Sequence, residues 1–158
     1  MEQYIQPFID VSKSTFKDFV GAELTAGRPC FRQKDAPNEW DVSGIIGLSG
    51  EACGAVVIGM KASLAIRLTD MLTGSKHSEL DEDVADAIGE IVNIISGNVK
   101  KDLEESFRLV ISLPTIVRGP GHLIKWPNEQ ARIICIPFTI FESETFTLSV
   151  AIESLKRI

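Results

Sequence analysis

Five positions line one side of what reads as the longest helix of the chain: Asp86, Glu90, Asn93, Gly97 and Glu104. Their spacings of four, three, four and seven return to one side of a 3.6-residue helix, so Glu90 and Asn93 are neighbours one turn apart. A carboxylate beside a carboxamide offers two kinds of chemistry. The carboxylate can accept a proton or pair with a cation. The amide, having both an acceptor and donors, can hold a water molecule in one direction without being a base. An ordinary solvated helix face has the same pattern, and two residue types set this one apart. Asn is a poor helix former because its amide competes for backbone groups. Glycine in a helix interior costs roughly 1 kcal/mol. Asn93 and Gly97 on one outer ridge therefore suggest a surface kept for something other than helix stability, and Gly97 leaves room for a second surface to come close.

The elements that must position this ridge follow from periodicity. Val84, Ile88, Ile91, Ile95 and Val99 form an apolar stripe on the other side of the helix, which has to face a sheet. The helix is expected to begin after Ser78, capped by Ser78 or Asp81 and acidic in its first turns, and to run to about Glu105, with Lys100 and Lys101 near its end. Before it, residues 4–20 have helical spacing (Ile5, Phe8, Ile9, Phe16, Phe19, Val20, with Ser12 as a gap), and Gly21 breaks the pattern. A strand over 30–33 and a turn over 35–38 follow. Two strands over 42–48 and 52–60 are joined by a hairpin signal at Ser49-Gly50. A short helix over 61–72 places Leu64, Leu68, Met71 and Leu72 on one face and stops at Gly74. After the long helix come strands over 107–116, 131–141 and 145–152, with a tight turn at Glu142-Ser143. The Gly- and Pro-rich loop 119–130 has room for a short strand over 123–126. The order is a helix-plus-three-strand unit used twice with an extra helix in the middle. This is an α+β class fold, a layered antiparallel-rich sheet covered by long helices. No linker divides the halves, so one domain over 1–158 is expected.

Composition narrows the functions. The chain has 158 residues, 44% hydrophobic and 24% charged, which reads as globular rather than disordered. A net charge of −6, with no Lys/Arg run, argues against a nucleic-acid groove. The N-terminus lacks the basic and apolar regions of a signal peptide, and the longest nearly apolar run, 133–141, is too short to cross a bilayer. A cytoplasmic protein without a membrane contact is expected. Cys30, Cys53 and Cys135 read as buried, reduced thiols. His77 and His122 show no neighbours at metal-ligand spacing, and no metal or cofactor is expected on the chain. There is no P-loop, dinucleotide fingerprint or nucleophile elbow.

The stretch from Asp86 through Glu90 and Asn93 to Asn98 resembles the signature of the CheC/CheX/FliY family of chemotaxis phosphatases. That signature is an Asp or Ser, three residues, Glu, two residues and Asn, with a Pro roughly twenty residues on; here Pro114 stands close to that place. Met71-Leu72-Thr73-Gly74 and the Gly-rich strands before it are similar too, so the resemblance spans essentially the whole chain. The first helix offers Asp10-Val11-Ser12-Lys13 where a second signature would lie. One signature per chain matches the CheX-type branch, and 158 residues cannot hold the extra domains of FliY-type proteins.

The resemblance implies a protein phosphatase that hydrolyses the aspartyl phosphate of a phosphorylated CheY-like receiver domain, ending a chemotaxis or two-component signal. It gives Asn93 the task of orienting the attacking water and Glu90 a salt bridge to the receiver's active-site lysine. A general-base role for Glu90 ranks lower. Asp86 and Gly97 would border the partner. The divalent metal, magnesium, would come with the receiver, where it neutralises phosphoryl charge. Family members dimerise through their sheets, so a homodimer is implied. Two other classes remain: a non-catalytic module that binds a receiver domain, and a structural dimer whose polar ridge is merely solvated.

Overall fold

A computed structural model describes residues 2–33, 35–126 and 132–155. A short 3-10 turn, Glu2–Tyr4, leads into α1 (Ile5–Thr15), and the same axis continues as a π-helical turn, Phe16–Val20. Strands β1 (Thr25–Ala26), β2 (Cys30–Arg32), β3 (Val42–Gly50) and β4 (Ala52–Met60) follow. Then come α2 (Ala62–Thr73) and α3 (Glu82–Leu103), and finally β5 (Leu109–Ile111), β6 (Thr115–Arg118), β7 (Ile133–Ile140) and β8 (Glu144–Ser154).

All eight strands share one antiparallel sheet in the order β1-β7-β8-β4-β3-β5, with β2 also on β7 and β6 also on β3. The two halves of the chain interlock in it. β4 and β8, the last strands of each half, pair at the centre from Ala52↔Ser154 to Gly59↔Thr147. The short leading strands then cross over: β1 and β2 pair with the second half's β7, and β5 and β6 pair with the first half's β3. Neither half can complete its sheet alone, which explains physically why no linker separates them.

All three α-helices contribute to the main core on one face of the sheet. Phe16, Phe138 and Phe146 are fully buried, and Phe146 stacks on the other two at 4.9 and 5.3 Å between ring centres. The other face carries a smaller cluster of Ala55, Val57, Ile133 and Ala151 under Trp126. Trp40 also lies on that face, over Gly59, where a Cβ would overlap the indole, and its Nε1–H donates to Thr147 Oγ1 at 2.9 Å.

Several expectations change in detail. The 107–116 run is two short strands, because Ser112-Leu113-Pro114 interrupts it: Pro114 has no N–H for a ladder. Residues 123–126 are not a strand. They lie across the second face, where Trp126 is buried. Met71 is 45% exposed, and Ala65 and Thr69 take the inner positions of α2 with Leu64 and Leu68. The Ser12 gap in α1 is itself buried, its hydroxyl without a partner among the described residues. The cysteines are not buried: Cys30 is exposed and Cys53 and Cys135 are intermediate, and Cys30 pairs directly across from Cys135 on neighbouring strands. Strand β7 begins at Ile133; Ala131 and 127–130 of the expected loop lie outside the described residues. No helix among the described residues is long and apolar enough to cross a membrane.

Candidate functional site

The polar ridge is held by fixing α3 at its start and along its inner face. Asp81 is the cap, its Oδ1 accepting from the Val84 backbone N–H at 3.0 Å. Arg118 on β6 donates to the Leu80 carbonyl at 3.0 Å and pairs with Glu82 at 2.9 Å. His77 ties α2 to α3. Its Nδ1 and its backbone N–H each lie 2.8 Å from Asp70 Oδ1, and its Nε2 lies 3.1 Å from Asp83 Oδ2. The hydrogen bonds to Asp70 and then Asp83 raise the His77 pKa above the ordinary 6.5, and the same contact lowers that of Asp70 from 3.8. Along the inner face, Val84, Ile88, Ile91, Ile95 and Val99 are all buried, as their spacing predicts. Gly44 of β3 sets how near the helix lies: a Cβ there would stand 3.2 Å from methyls of Ile58, Ile88 and Val92.

With that face against the sheet, Asp86 and Glu90 are exposed and Asn93 and Gly97 half-buried. Glu104 is the C-terminal cap and also exposed. Glu90 and Asn93 sit at i and i+3, about 5–6 Å apart at Cβ. Among the described residues no side-chain hydrogen bond or ion pair engages Asp86, Glu90 or Asn93, so the carboxylates and the amide face water with their polar capacity unused. Two glycines beside the ridge admit neighbours. A Cβ on Gly89 would lie 3.4 Å from Pro114, and one on Gly97 would meet only Ile111 Cδ1, at 4.0 Å. Pro114, the distant member of the sequence signature, therefore packs on the turn of α3 that carries Glu90 and Asn93.

Two other clusters contain reactive side-chain types. Ser43 Oγ lies 2.7 Å from His122 Nε2, and His122 Nδ1 lies 2.7 Å from the Gly119 carbonyl. A carbonyl only accepts, so Nδ1 carries the proton and Nε2 accepts from the serine. Ser43 is 1% exposed, and the pair pins the loop after β6 to the sheet rather than meeting a substrate. His77, Asp81 and Asp83 place ligand-type atoms within 4.8 Å of one another. This corrects the expectation that His77 has no such neighbours; His-x3-Asp-x-Asp was the overlooked pattern. Both ring nitrogens already face carboxylates, an arrangement suited to an imidazolium, which any cation would have to displace.

Comparison with known proteins shows the family of the chain. The family described as "Chemotaxis phosphatase CheX" matches residues 42–139. "CheY-P phosphatase CheX" of Thermotoga maritima is 28% identical over 143 residues, covering 89% of each chain. The crystal structure of chemotaxis protein CheX from Vibrio vulnificus superposes with a TM-score of 0.83 at 29% identity, covering 96% of this chain and 99% of that one. A CheX–CheY–BeF3–Mg2+ complex from Borrelia burgdorferi gives a TM-score of 0.81 at 26% identity, covering 96% and 98%. The matched segment takes in more than half of the chain, including β3, β4 and all of α3 with its ridge, and so the chain belongs to the chemotaxis phosphatase CheX family.

Proposed function

We propose that the chain hydrolyses the aspartyl phosphate of a phosphorylated CheY-like receiver domain, with Asn93 and Glu90 as its working residues. The observation that carries this is the unpartnered Glu90–Asn93 pair on the outer side of a helix fixed against the sheet, in a chain of this family. An acyl phosphate needs a water in line with its P–O bond and little else from a second protein. The Asn93 amide accepts one water hydrogen bond and donates another, aiming the oxygen at phosphorus. The water oxygen bonds to phosphorus, the bond to the aspartyl oxygen breaks, and aspartate and inorganic phosphate result. The water's proton passes to phosphate or solvent. Glu90 pairs with the receiver's lysine and seats the helix over the phosphoryl group. Asp86 and Gly97 border that contact.

Magnesium belongs to the receiver in this scheme; the Borrelia complex contains Mg2+ together with CheY. We also place the protein in the cytoplasm as a homodimer joined through its sheets, with the short edge strand β2, where Phe31 is 61% exposed, as the seam. Light scattering that returns a monomer mass removes the dimer. For the activity, phosphate loss is followed from a panel of phosphorylated receivers with and without the protein. Acceleration identifies the substrate. Binding without acceleration of any receiver turns the reading to a non-catalytic module.

A further inference from the structure

The ridge is too narrow to be the whole contact. An interface at the upper end of the weak, transient class covers about 600 Å² on each partner, a patch roughly 28 Å across, whereas a helix with its side chains is about 10–12 Å wide. The receiver must therefore also touch what flanks α3. Gly89 and Ile94 lie about 70° to either side of the ridge line and mark the two flanks.

On the Gly89 side, the segment joining β5 to β6 runs back along the helix, from Ile111 beside Gly97 to Pro114 on Gly89. Leu113, between them in the chain, is 87% exposed. On the Ile94 side, the helix packs on α1, which runs on into the π turn Phe16–Val20, closed by a hydrogen bond from the Gly21 N–H to the Phe16 carbonyl. Such turns are uncommon and recur at functional sites. Here Phe16 and Val20 point into the core and Phe19 is left 40% exposed. Ser14, Thr15, Asp18, Phe19, Ile94 and Asn98 line a recess of about 260 Å³. Thr15 as a residue is 5% exposed, and its hydroxyl oxygen is buried behind the recess wall with no partner among the described residues.

We infer that Leu113 on one flank and the Phe19 recess on the other are the specificity-determining contacts for the receiver domain, gripping it on both sides of the polar ridge. Leu113 supplies an apolar knob, and the recess beside Phe19 and Ile94 receives a side chain of the receiver. This assignment rests on the phosphatase reading above and adds the residues that choose the partner.

The test uses steady-state dephosphorylation of a receiver the wild type accelerates. Leu113→Ala and Asn98→Arg, both at exposed positions, are expected to raise KM about 5- to 10-fold with kcat unchanged. Phe19→Ala should act likewise, and its unfolding midpoint is measured in parallel because the side chain is partly buried. Leu123→Ala is the control, since Leu123 is 84% exposed but lies in the loop on the opposite face of the sheet. Wild-type KM in Leu113→Ala and Asn98→Arg overturns the inference while the phosphatase reading stands. Failure of wild type to accelerate any receiver overturns that reading and the footprint with it.

Discussion

Replacing Gly97 with alanine separates two demands on the α3 ridge, stability and access. In the free protein the new Cβ meets only Ile111 Cδ1, at 4.0 Å, an ordinary van der Waals distance. Nothing must move, so the variant gains the helix-propensity difference, about 0.8–1 kcal/mol. For a chain of this length that is a rise of roughly 2–4 °C in unfolding midpoint. If Gly97 is bare so that the receiver can come close, the same methyl stands in the interface and KM for the phosphorylated receiver should rise several-fold. Higher stability with weaker substrate binding is the expected pair of results. Gly44→Ala is the matched contrast. Its Cβ would press on methyls of Ile58, Ile88 and Val92 at 3.2 Å, and about 1–3 kcal/mol of destabilisation is expected. Both variants can be followed by thermal unfolding and by the dephosphorylation assay. A Gly97→Ala protein with higher stability and unchanged KM would refute the access argument. Lower stability would refute the claim that the site is open in the free protein.

Three further predictions concern how α3 is held. The His77 contacts should stabilise the fold fully below pH 6.5 and lose their contribution as pH rises through the raised folded-state pKa of His77; the Asp70 part is present above 3.8 and is lost as pH falls through its lowered pKa. The stability difference between wild type and His77→Ala in urea should therefore be largest between those values and shrink at alkaline pH; a pH-independent difference would contradict the latch. Asp81→Ala removes the cap of α3 and should cost about 1 kcal/mol by the same measurement, with Asp81→Asn recovering most of it. Ser96 is 2% exposed and its hydroxyl has no partner among the described residues, so Ser96→Ala should stabilise the protein by about 1 kcal/mol in thermal unfolding.

Much of this was legible in the chain where the determinants are local. The buried stripe of α3, its Asp81 cap, the β3–β4 hairpin and the Gly74 end of α2, which adopts φ +71, each depend on residues a few positions apart. The ridge was legible for the same reason, since helical spacing alone sets Glu90 and Asn93 side by side. The crossed pairing of β2 with β7 and of β6 with β3 was not, because partners about 70 to 105 residues apart leave no local pattern. Nor was the π turn at Phe16–Val20, whose apolar spacing also fits an α-helix. The flanks of the site depend on those non-local features. Pro114 was expected to matter only through the family resemblance; its contact with Gly89 gives it a physical role beside the ridge.

The division of labour between Asn93 and Glu90 is the most direct test. Single-turnover and steady-state dephosphorylation of the receiver substrate would be compared for wild type, Asn93→Ala and Glu90→Ala, all at exposed or half-exposed positions where folding should be unaffected. Asn93→Ala should lower kcat at least about 100-fold, roughly 3 kcal/mol of lost transition-state stabilisation, while still binding the receiver. Glu90→Ala should weaken binding as well as turnover. Wild-type kcat in the Asn93→Ala protein would contradict the account, which assigns the aiming of the water to the Asn93 amide.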